Sequence, residues 1–173
     1  MEDERVQVRE KERETGIATR YDKALLERKK FIDLQMNGKV VIKGTEMDYE
    51  LNRQGRIKRY LRPDLFPDNP LRDWVVFLHD IRIHSGRHVH QGGCVIIFVL
   101  EGHGYTIVDG VRHDWEEGDL LLLPIKPGGV EHQHFNLDLG KGCVWIAFYY
   151  RPWENALGSV LVQTGASPEY KGQ

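Results

Sequence analysis

Four of the eight histidines stand in two His-x-His pairs, His88-Val89-His90 and His132-Gln133-His134. In a strand, side chains two apart point to the same face, so each pair can present two imidazoles side by side. Neutral imidazole is a borderline ligand that suits iron, zinc, copper and nickel. If the two strands adjoin, three or four imidazoles converge, and a bound divalent metal is the chemistry such a cluster serves. Asn136 falls on the face of His132 and His134, where it could supply the outer hydrogen bond that orients a metal-bound ring.

The first pair runs on as HVHQGGCVII, into glycine, cysteine and aliphatics rather than toward a carboxylate. Together, GRHVHQGGCVIIFVLEGHG (86–104) and GDLLLLPIKPGGVEHQHFN (118–136) resemble the paired motifs of the cupin superfamily. The resemblance covers about residues 74–150 and implies an all-β fold, a cupin jelly-roll β-barrel with a short N-terminal helical extension. Carried over by position, it makes His88, His90 and His132 the metal ligands and Gly102 the turn glycine. Pro124 to His132 is a longer spacing than usual, with Lys126 to Gly129 inserted, so His134 stays open as the alternative third ligand. With His132 as ligand, His134 becomes a group facing the substrate, a candidate for acid–base or orienting work.

Val95 stands where cupins carry a glutamate ligand. A three-histidine shell leaves the metal its charge and more open positions, which favours catalysis over a purely structural role. Within the superfamily this loss is similar to gentisate dioxygenase-like and diketone-cleaving members, which hold Fe(II) by three histidines. The resemblance therefore implies an Fe(II) dioxygenase whose small organic substrate, phenolic or diketone-like, offers two adjacent oxygens, with O₂ as co-substrate. An oxygen-independent isomerase, lyase or hydrolase using zinc, manganese or nickel is the alternative, and a non-catalytic binding protein the third reading. Homodimers are also a family expectation.

The elements that must position these residues are short β-prone runs broken by Gly, Pro and Asp. They are KVVIKG, GRIKRYLRP, DWVVFLHDIRIH, CVIIFVLEG, GYTIVDGVRHDW, DLLLLPI, HQHFNL and CVWIAFYY. Regular short strands of this kind predict an antiparallel sandwich or barrel. Asp109-Gly110 predicts a tight hairpin, and Gly102 and Gly118 mark further reversals. Alternation from Val95 places Val95, Ile97 and Val99 on one wall, with Trp145, Ala147 and Tyr149 on one face of the last strand, a lining suited to an aromatic or apolar molecule.

Residues 41–150 are thus expected to form the barrel. Residues 1–40 read as a charged arm followed by an amphipathic helix over Tyr21–Gln35, docked on the body and stopped at Asn37-Gly38 by a left-handed glycine. In 151–173, RPWENALG can make one helical turn, and QTGASPEYKGQ reads as a loose tail.

The chain of 173 residues is 40% hydrophobic, enough for one core. Its 24 basic and 26 acidic residues nearly cancel, which offers no electrostatic argument for nucleic acid or an anionic membrane. No apolar run approaches the roughly 18–20 residues of a spanning helix, and the charged opening MEDERVQVREKERE is no secretory signal. A cytoplasmic protein with a small-molecule partner is expected. Cys94 and Cys143 sit in apolar runs without zinc spacing and read as buried thiols. His79, His84, His103 and His113 read as surface or structural, Arg82, Arg87 and Arg112 as solvated, and Glu101, Asp109 and Asp119 as turn residues.

Overall fold

The computed structural model describes residues 19–90, 95–138, 140–158 and 161–172. The charged arm and Cys94 lie outside that range. The described residues divide into two compact units, one comprising residues up to Val40 with Asp68–Pro70, the other Val41–Pro67 with Leu71 onward.

In the first unit, helix α1 (Arg20–Asn37) opens on Thr19, whose hydroxyl accepts from the Asp22 amide at 3.1 Å, with Asp22 itself in the dipole-favoured first turn. No residue of α1 is buried. The helix stop differs from expectation, because Gly38 sits at φ −66°, an ordinary extended conformation. Its glycine is needed for space instead: a Cβ there would collide with the Leu34 carbonyl oxygen.

The second unit is an antiparallel double sheet. Its strands are β1 (Glu50–Asn52), β2 (Gly55–Leu61), β3 (Trp74–Ile81), β4 (Arg87–His90), β5 (Ile96–Glu101), β6 (His103–Val108), β7 (Val111–Glu116), β8 (Leu120–Leu122), β9 (Val130–Asn136), β10 (Cys143–Tyr150) and β11 (Leu161–Gly165), with helix α2 (Arg151–Ala156) between the last two. One sheet runs β1-β2-β3-β10-β5-β8 and the other β11-β4-β9-β6-β7. The expected jelly-roll of two facing antiparallel sheets is the architecture of this unit.

Alternation decides which side chains face in. Along β9, Val130, His132, His134 and Asn136 are buried while the residues between them are half-buried. On the facing sheet, Ile97 and Val99 of β5 and Trp145 and Ala147 of β10 close the core. The outer face of that sheet stays apolar as well, with Ile96, Phe98, Leu100, Leu120 and Leu122 all exposed. The β6–β7 hairpin turns at Asp109 (φ 47°) and Gly110 (φ 84°), the paired positive angles of a tight turn whose twist matches its strands.

Two runs depart from their sequence reading. KVVIKG forms no strand; Val40 and Val41 are 84% and 66% exposed, because β-propensity alone supplies no partner strand to pair with. The expected loose tail instead contributes β11, which pairs with β4 from Leu161↔His90 to Gly165↔Arg87 and covers an otherwise open sheet edge. Beyond it Ser167 is buried, its amide donating to the Arg53 carbonyl at 2.8 Å.

Candidate metal centre and its cavity

The segment that begins with His88 and His90 crosses between sheets: β4 belongs to the five-stranded sheet, and β5, which carries the aliphatics, to the six-stranded one. On the five-stranded sheet, β4 and β9 are neighbours, with His88 opposite His132 and His90 opposite Val130. Adjacency brings the expected cluster together. Ring centroids lie 4.2 Å apart for His88 and His132, 4.6 Å for His90 and His132, and 5.2 Å for His88 and His90. One nitrogen from each of the three rings lies within 4.8 Å of the others, the only such group of potential ligands among the described residues.

Burial keeps these rings neutral. Desolvation lowers His88, holds His90 at about 4 and puts His132 well below an ordinary histidine, with the neighbouring rings adding to the effect for His90 and His132. Nδ1 of His88 lies 3.3 Å from the Gly86 carbonyl oxygen, and Nδ1 of His132 3.5 Å from that of Val130. A ring that donates from Nδ1 to a carbonyl keeps the Nε2 lone pair free for a metal. Buried, neutral and oriented imidazoles fit a divalent cation.

His134 is held differently. Its Nδ1 lies 2.7 Å from the Thr106 hydroxyl, which also accepts from the Trp115 indole N–H at 2.9 Å. An indole can only donate, which leaves the hydroxyl proton available to His134 Nδ1; in that arrangement the His134 proton sits on Nε2. The ring packs 5.3 Å from His132 and 5.0 Å from Trp145, and burial drives its pKa well down. It stands beside the three-ring cluster as a neutral N–H donor.

The rings open onto a cavity of about 580 Å³. Val95 lines it together with Ile97, Phe77, Trp145 and Tyr149. Val99 and Ala147 share the inward face but are sealed into the core. His79, read from sequence as surface or structural, is fully buried on the cavity wall, 4.8 Å from Trp145 and held at about 3 by desolvation. Its place was readable in principle, since Val75, Phe77, His79 and Ile81 share one face of β3.

Asn136 does not orient an imidazole. Its amide nitrogen donates to the carbonyls of Arg82, Asp138 and Lys141, and its oxygen accepts from the Cys143 thiol at 2.8 Å. It ties down the turn before β10, two residues past the cluster. The Cys143 thiol is pushed up by burial. Arg82 and Arg112 lie outside the cavity, half-exposed and paired with Asp80 and Asp114, and Arg87 faces Glu131 in the same way. The guanidinium groups that do line the cavity are those of Arg53, Arg59, Arg62 and Arg151, none of which lies near a histidine motif in sequence.

Comparison with known protein families matches a cupin domain over residues 80–149. This stretch of the chain is a cupin domain. It contains the three clustered imidazoles, His134, and both walls of the barrel. Comparison with curated proteins returns no match. Among solved structures, the chain is similar to a double-stranded β-helix protein from Klebsiella pneumoniae, with TM-score 0.52 and 18% identity over 73% of this chain and 99% of that one. It is also similar to a predicted oxalate decarboxylase from Thermotoga maritima, with TM-score 0.50 and 18% identity over 64% of this chain and 98% of that one. A third likeness is to salicylate 1,2-dioxygenase from Pseudoaminobacter salicylatoxidans, solved with gentisate, with TM-score 0.50 and 19% identity over 84% of this chain. There the chain spans 35% of the dioxygenase's length. At these identities the likeness is one of fold. Among the described residues no helix is long and apolar enough to cross a membrane.

Proposed function

We propose that the cupin domain holds a divalent metal through His88, His90 and His132 and acts as an Fe(II) dioxygenase on a small organic molecule. The observation that carries this reading is the shell itself: three neutral imidazoles, no carboxylate among them, opening onto a cavity that Val95, Ile97, Phe77 and Trp145 help to wall. Fe(II) in that shell would supply Lewis acidity and a path by which electrons from the organic substrate reach O₂.

The chain's own residues do the rest. Val95, Ile97, Phe77 and Trp145 exclude water and offer shape to an aromatic or aliphatic body. His134, which lines the cavity with Nδ1 held by Thr106, is placed to hydrogen-bond a substrate oxygen or exchange a proton with it. The closeness of His132 to both His88 and His90 supports His132 over His134 as third ligand.

Anaerobic reconstitution with Fe(II), followed by oxygen uptake on phenolic acids and diketones, tests the proposal. Salicylate and gentisate are the first compounds to try, since the similar salicylate 1,2-dioxygenase carries those names. The expected result is iron-dependent, substrate-dependent oxygen consumption. Turnover that proceeds without O₂ would replace this reading with the metal-dependent isomerase or lyase.

A further inference from the structure

The cavity has a second polar end. On β10, Trp145 lies against the histidine cluster and Tyr149 stands four residues further along the same face, about 13 Å away at the usual strand rise. Around Tyr149 the lining changes from aliphatic to cationic. Arg59 of β2, Arg62 of the turn after it, and Arg151 and Glu154 of α2 line the cavity together with Tyr149. Glu154 is the sole acidic residue among the described residues that line the cavity.

Each of these arginines meets a carboxylate. Arg59 Nη1 meets Glu50 at 2.6 Å, Arg62 Nε meets Asp64 at 2.7 Å, and Arg151 Nε lies 3.5 Å from Glu154. A guanidinium carries five N–H donors in a fixed fork, so several on each remain. The counter-carboxylates of Glu50 and Asp64 are more than half exposed, and exposed pairs of this kind are weak enough to exchange for a ligand. In the absence of ligand they keep three like charges from repelling one another.

We infer that Arg59, Arg62, Arg151 and the Tyr149 hydroxyl form an anion subsite at the far end of the cavity from the imidazoles, so that the substrate is an elongated organic acid. One end presents two adjacent oxygens to the histidine cluster, and the other carries a carboxylate to the arginines. The near end of this picture rests on the metal reading; the far end stands on the arginine geometry alone.

The probes are 2-oxoadipate and 2-oxohexanoate, which share adjacent keto and carboxylate oxygens and differ in bearing a distal carboxylate or a methyl group. Calorimetric titration of the full chain is expected to show 2-oxoadipate binding at least about tenfold more tightly, the worth of one charge-assisted hydrogen bond. The double variant Arg62→Gln/Arg151→Gln is expected to erase that preference with metal content unchanged, and Tyr149→Phe, which keeps the ring, to reduce it. Equal affinities in the parent chain, or a preference that survives the double variant, would overturn the inference and leave the metal reading untouched. If elemental analysis finds no metal while the arginine-dependent preference persists, the subsite stands and the metal reading falls.

Discussion

The two sheets that enclose the cavity are built on the same alternation and use it for opposite ends. The five-stranded sheet turns inward His88, His90, His132, His134 and Thr106. The six-stranded sheet turns inward Ile57, Val75, Ile97, Trp145 and Ala147. One inward face is polar at the imidazole cluster, and the other is mainly apolar, with His79, Arg59 and Tyr149 as its polar groups on the cavity. The polar face is tolerated because its groups are paired in series, Trp115 to Thr106 to His134, with Nδ1 of His88 and of His132 facing backbone carbonyls. The imidazole cluster is thereby confined to one rigid sheet, and the opposite sheet supplies most of the shape around it.

If that division holds, damage to each wall has a different signature. The largest stability effect is expected on the apolar side. Ile97→Ala removes a buried side chain that touches both core and cavity, and is expected to cost about 2–5 kcal/mol in denaturant unfolding. Its metal content should match the parent chain; loss of metal would break the separation between the walls.

On the polar side, Thr106→Val keeps the shape but leaves the Trp115 N–H and His134 Nδ1 without partners. Thermal and denaturant unfolding should show a smaller cost, about 1–3 kcal/mol. Here the metal stays and turnover falls, because His134 loses the contact that holds its Nδ1. Unaltered turnover in this variant would remove His134 from the chemistry.

Much of this arrangement was legible before any coordinates. The His-x-His pairs announce themselves through the two-residue period, and the Asp109-Gly110, Gly102 and Gly118 reversals mark where strands must turn. What escaped depends on partners that are remote in sequence. The strand β11 exists because β4 leaves an edge to be covered, and nothing in LVQTG alone says so. Arg59 shares the inward face of β2 with Ile57, a pattern that alternation could have shown. Arg62 and Arg151 sit at strand ends, and only the closure of the barrel brings them to one cavity. Asn136 was placed on the correct face, but its amide finds three backbone carbonyls nearer than any imidazole.

The account turns on which imidazoles hold the metal, and elemental analysis of the purified His132→Ala and His134→Ala variants beside the parent tests it most directly. The expected result is metal reduced to background in His132→Ala and retained in His134→Ala. Full retention in His132→Ala, or loss confined to His134→Ala, would contradict it.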